Sequence, residues 1–122
     1  MTGQIAVTSK GTTLESPVDT HFGRATNFII VNLNTNEFSA HDNKQNLNAI
    51  QGAGIQAAET VSKLGAESLI TANVGPKAFK TLKTAGIKVY LFGKGTVAEA
   101  VSALKEGKLK EISDANVDSH WA

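Results

Sequence analysis

At 122 residues, 41% of them apolar, the chain has the size and composition of one globular domain. A domain of that length buries roughly two thirds of the surface its unfolded chain exposes. Cysteine is absent, which excludes disulfides, thiolate-bound zinc, cysteine-ligated iron–sulfur clusters and a thiol nucleophile, and a net charge of +1 gives no sign of a nucleic-acid binder.

The charge is unevenly spread. Lys10, Arg24 and Lys44 face five acidic residues in positions 1–60, whereas nine lysines face six acids in positions 61–122. That mild basic bias reads first as a solvated face. No apolar run approaches the ~20 residues that cross a bilayer, and "MTGQIAVTSKG" lacks the basic-then-apolar order of a secretory signal. A soluble protein of the cytoplasm is the expectation.

Residues 4–10, "QIAVTSK", begin with β-branched character and are expected as a first strand. Residues 11–24 have loop composition. Residues 26–33, "TNFIIVNL", form a second strand whose continuous apolar centre predicts burial on both faces. After a turn at 34–36, residues 37–43 read as a weaker third strand in a hairpin with the second. Residues 44–52 read as a polar linker.

In residues 53–65, Ala57, Val61 and Leu64 recur at helical spacing with Ile55 and Ala58 beside them, and Gly65 is placed to end the helix. Residues 67–73 are a fourth strand. Residues 75–86 form a second helix with Pro76 at a first helical position; Ala78, Leu82 and Ala85 are expected inward and Lys77, Lys80 and Lys83 outward. Residues 87–93 are a fifth strand. A third helix follows over 96–107, with Thr96 and Glu99 in capping-box order and an apolar stripe of Val97, Ala100, Val101 and Leu104. Residues 108–122 have no strong period and read as a tail. The whole chain, 1–122, is expected as one domain with its core over about 4–107.

Hairpins between the first three strands and right-handed crossovers thereafter set strands 1, 3, 4 and 5 parallel, with strand 2 opposed. Loops 10–24, 43–54, 73–77 and 93–96 then fall on one sheet edge, where open α/β sheets bind ligands. Three of them lead into helix starts, after Gly52-Ala53-Gly54, Val74-Gly75-Pro76 and Gly93-Lys94-Gly95-Thr96. Helix starts present unpaired N–H groups and partial positive charge. Arg24, Lys77 and Lys94 add whole charges, so the expected ligand is an anion.

With "FGRA" (22–25), "GAGIQAA" (52–58), "NVGPKA" (73–78) and "GTVAEAV" (95–101) placed, the chain resembles the nitrogenase iron–molybdenum cofactor accessory family over about residues 4–107. That group includes NifX-type and NafY-type carriers, a domain at the C-terminus of NifB, and the molybdenum–copper orange protein of sulfate reducers. The resemblance implies an α/β, ribonuclease H-like three-layer fold. Its five-stranded mixed sheet has order 3-2-1-4-5, strand 2 antiparallel and helices on both faces. It also implies carriage, without catalysis, of a molybdenum- or iron-containing metal–sulfur cluster or its precursor, with cluster-assembly or acceptor proteins as partners. It does not by itself imply a nitrogenase connection.

For such cargo, His21 is a candidate ligand or hydrogen-bond donor and Arg24 a clamp, with Gly23 between them. The competing structural reading has Gly23 making a tight turn and Arg24 pairing with Asp19. Gly52 and Gly54 could let cargo approach the first helix or serve only its packing. Asn73, Gly75 and Lys77 stand similarly at the second helix, and Lys94 near the third. "GKGT" (93–96) is not a phosphate loop, because Lys88 stands where that motif needs glycine. His41 reads as a surface residue of an edge strand. His120, beside Trp121, reads as a tail residue that could fold over the site.

Enzyme signatures are missing: no HExxH, GxSxG or thiol occurs, and "QIAVTSK" offers no carboxylate for a two-metal nuclease. A regulatory adaptor that binds protein and no cluster is the alternative. Nucleic acid is not an expected partner, since stacking readers need exposed aromatics and most of those here fall in predicted strands or on an apolar helix face.

Overall fold

Short apolar runs such as "IAV" and "FIIV" build the central strands, and the helices follow the third, fourth and fifth strands. The computed structural model describes residues 3–43 and 52–117; the expectations for all but the last residue of the 44–52 linker, and for His120 and Trp121, lie outside them. The described elements are β1 (Gln4–Ser9), β2 (Asn27–Asn32), β3 (Phe38–Asp42), α1 (Ala53–Lys63), β4 (Ser68–Thr71), α2 (Pro76–Thr84), β5 (Lys88–Leu91) and α3 (Val97–Lys105). The sheet has the order β3-β2-β1-β4-β5. Antiparallel pairing joins β1 to β2 and β2 to β3, while β4 runs parallel to both β1 and β5. The expected order and the reversed second strand are both present.

Pleating sends successive side chains to opposite faces. Ala6 lies opposite Ile30 and Leu69, and Leu69 opposite Val89, all in the core shared with Ala57, Ala58 and Val61 of α1 and Ala78, Phe79 and Leu82 of α2. Val7 lies opposite Ile29 and Ile70, in a second core with Val97, Ala100 and Val101 of α3. Helices therefore cover both faces, and β1 and β2 are buried nearly end to end.

Helix ends follow the local signals. Gly65 adopts φ +85°, its N–H donates to the Ser62 carbonyl and the Ala66 N–H donates to that of Val61. Those reversed bonds satisfy carbonyls the helix leaves open, in a conformation that suits a residue without Cβ. At α3 the capping box forms in full: the Glu99 N–H donates to Thr96 Oγ1 (3.1 Å) and the Thr96 N–H to Glu99 Oε1 (2.8 Å).

Two expectations are corrected. Ala85 is exposed, because α2 ends at Thr84 and the chain turns away through Ala85 and Gly86; Phe79 occupies the buried stripe with Ala78 and Leu82. Residues 108–117 are also not a loose tail. Ile112 donates to the Val89 carbonyl (3.0 Å), Tyr90 bridges antiparallel to Glu111, and Ile112 and Ala115 pack against the α1/α2-side core. This strap lies along β5, an edge strand whose open backbone groups accept a partner. It carries no helical period because its scattered apolar residues dock one at a time.

Thr96→Ala removes the hydroxyl of the capping box and should cost about 1 kcal/mol. Urea unfolding checks this: the midpoint should fall with the slope unchanged.

Candidate functional site

Loop 19–26 is polar except for Phe22 and Ala25, and those two side chains pin it. Both are fully buried on the α1/α2 side, with the Phe22 ring 5.8 Å from that of Phe28. Anchoring residues 22 and 25 inward leaves His21 half-buried and Arg24 exposed.

Buried polar groups fix the rest of the loop. The Thr8 hydroxyl, at the end of β1, donates to the Asp19 carbonyl (2.7 Å) and lies 3.0 Å from the Thr71 hydroxyl of β4. The buried Asp19 carboxylate accepts the N–H of His21 and of Thr26, both at 3.2 Å. It therefore braces the loop through the backbone, and the Asp19–Arg24 pair considered from sequence does not form. Asn43, fully buried beyond β3, donates from Nδ2 to the carbonyls of Gly23 (3.2 Å) and Ala25 (2.9 Å).

Loop 72–75 lies alongside. The backbone of His21 bridges in parallel to Asn73, the Phe22 N–H donates to the Asn73 carbonyl (3.3 Å), and Asn73 Nδ2 donates to the Thr20 carbonyl (3.0 Å). Asn73 Oδ1 accepts from Asn116 (3.3 Å). Asn73 thus joins two loops and the strap. The His21 ring places Nδ1 3.2 Å from Thr20 Oγ1.

The two glycines at the start of this site are explained by close packing. A Cβ on Gly23 would lie 2.9 Å from the Cα and N of Gly54, and one on Gly54 would lie 2.9 Å from Ala78 Cβ. Loop 19–26 therefore abuts the first turn of α1, which abuts the first turn of α2. Gly52 and Gly75 are the N-caps of those helices and, being glycines, bring no capping side chain of their own. Pro76 has no N–H, so α2 presents Lys77 and Ala78. Lys77 is exposed there, as expected. Two positive helix ends and the Arg24 and Lys77 side chains therefore share one rim, on the α1/α2 side.

The third helix start departs from expectation. Loop 10–18 closes it: the Val97 N–H donates to the Ser16 carbonyl (2.9 Å), that of Ala98 to Leu14 (2.8 Å), and the capping box takes those of Thr96 and Glu99. With its donors engaged, α3 offers no anion cradle. Lys94 is exposed beside that closed end, next to Gly93, whose Cβ position is 3.0 Å from Ala72 Cβ.

No group of three or more His, Asp or Glu side chains that could hold a metal ion occurs among the described residues. His41 lies on edge strand β3 with Nε2 2.9 Å from Ser39 Oγ. Sequence reading missed Asn43 and Asn116, and saw Asp19 only as a partner for Arg24. A short polar residue just past a strand end is a weak signal, and only the partner loop gives it meaning.

The fold and rim define a class of small open-sheet α/β domain in which two helix starts with glycine N-caps and a braced loop meet at the carboxyl edge of the sheet. Residues 3–107 match the family model described as Dinitrogenase iron-molybdenum cofactor, and the chain belongs to that family. It is similar to the apo form of the orange protein of Desulfovibrio gigas, 39% identical with a TM-score of 0.93 over 96% of this chain and 98% of that one. A Thermotoga protein described as a candidate NifB is 37% identical, with a TM-score of 0.83 over 96% and 99% of the two chains. An uncharacterised protein of Methanocaldococcus jannaschii is 32% identical over 94 residues, 75% of this chain and 80% of that one. No helix of the described residues is long and apolar enough to cross a membrane.

Gly23→Ala should force Gly23 and Gly54 apart and destabilise the fold by about 1–3 kcal/mol. Denaturant titration measures the loss. Amide chemical shifts should move at Ala53–Ile55, and unchanged shifts there would contradict the packing described.

Proposed function

We propose that this protein is a carrier or scaffold that holds an anionic molybdenum- or iron-containing metal–sulfur cluster, or its precursor, non-covalently at the α1/α2 rim. The observation that carries the reading is the contact of loop 19–26 with α1 and of α1 with α2, which sets two helix starts with glycine N-caps beside Arg24 and Lys77. Backbone N–H groups at helix starts and a guanidinium suit a diffuse, multiply charged anion better than a bare cation. The donor set fits such cargo: the chain has no thiol, so the cluster would bring its own sulfide. His21 is the residue proposed as a direct ligand, and Gly23, Gly52, Gly54 and Gly75 shape the rim.

Retention in this reading is electrostatic and shallow, which favours transfer over storage. The protein would act as a carrier and not an enzyme, in the cytoplasm, exchanging cargo with cluster-assembly or acceptor proteins. Family membership and the orange protein likeness support the cargo class.

Anaerobic titration with tetrathiomolybdate, followed by absorbance and elemental analysis, tests the reading. Wild type should retain molybdenum through gel filtration, and the double variant Arg24→Ala/Lys77→Ala should lose most of it. Equal retention by both would remove the site from consideration. Raising salt from about 0.05 to 0.5 M should weaken retention several-fold, because the charges are exposed and screened.

A further inference from the structure

The strap over residues 108–117 reaches the rim through one side chain. Asn116 Oδ1 accepts the Val74 N–H (2.8 Å), its Nδ2 donates to the Ala72 carbonyl (2.9 Å) and lies 3.3 Å from Asn73 Oδ1, and its own N–H donates to the Val74 carbonyl (3.3 Å). The amide thus engages one edge of the segment 72–74, as a neighbouring strand would, while the Asn73 carbonyl takes the Phe22 N–H. Asn73 in turn holds loop 19–26 at the Thr20 carbonyl and the Phe22 N–H. An unbroken series of hydrogen bonds runs from the strap, through the turn that leads into α2, to the backbone flanking His21.

We propose that Asn116 is a positioning residue that couples docking of the strap to the geometry of the rim. It touches no cargo. It fixes the 72–74 turn, which sets both the direction of the α2 start and the placement of His21. Coupling is reciprocal: whatever is held at the rim should stabilise the docked strap, and release of the strap should loosen the rim. Protein partners that remove the strap from β5 would thereby promote cargo release. The effect on affinity rests on the cargo reading above; the effect on loop order does not.

Amide hydrogen exchange of the full chain, with and without tetrathiomolybdate, tests the coupling. Asn116 is exposed, so Asn116→Ala should fold. Its exchange at Phe22, which Asn116 does not touch, should rise about tenfold, as expected for losing one or two hydrogen bonds. Gly65→Ala, strained at φ +85° at the far end of α1 and remote from 72–74, should leave Phe22 no faster than the sheet as a whole. Tetrathiomolybdate should slow exchange at 112–117 in wild type and bind Asn116→Ala several-fold more weakly. Unchanged exchange at Phe22 in Asn116→Ala, or a rise equal to that in Gly65→Ala, would overturn the coupling. A selective rise at Phe22 in a protein whose wild type binds no tetrathiomolybdate would uphold the coupling and reject the cargo.

Discussion

The close approach of three backbones governs the architecture of the rim. Gly23 lies against Gly54 and Gly54 against Ala78, with no room for a side chain between the first pair and none for more than a methyl at the second. Interiors are packed densely enough that one extra methylene is felt, so these contacts tie loop 19–26, α1 and α2 into one unit. Phe22 and Ala25 supply the apolar anchorage beneath, and Asp19 and Asn43 satisfy the backbone that this tight path exposes. Neither set would suffice alone: apolar anchors without polar partners would leave buried amide groups unpaired, at a cost of several kcal/mol.

The two faces of the sheet treat their helix starts in opposite ways. On one face, α1 and α2 begin at glycine N-caps, which bring no capping side chain of their own. On the other, α3 has a complete capping box and two carbonyls from loop 10–18 on its first N–H groups. The difference is electrostatic as much as structural. A helix start whose N–H groups are engaged has its partial charge neutralised locally.

Much of this was legible beforehand, for identifiable reasons. Strand directions followed from short connections and right-handed crossovers, whereas the order 3-2-1-4-5 was implied by the family resemblance that "FGRA", "GAGIQAA", "NVGPKA" and "GTVAEAV" carry. The capping box was readable because Thr96 and Glu99 act on their own helix. The closed state of α3 was not, because its other donors are met by Ser16 and Leu14, some eighty residues earlier. Asn73 was picked out as a site residue by its place in the loop before the second helix, yet its side chain joins loops. The strap had no periodicity to announce it.

Composition and pattern alone determined that this chain makes one mixed sheet with its second strand reversed, and that its loops gather at one edge. Periodicity, caps and turns are local properties, and crossover handedness converts them into topology. Which glycines serve close packing, which helix start a distant loop closes, and whether residues 108–117 belong to the fold were decided only in three dimensions. Each depends on an atom supplied from far along the chain, and such partners leave no mark on the residues they satisfy.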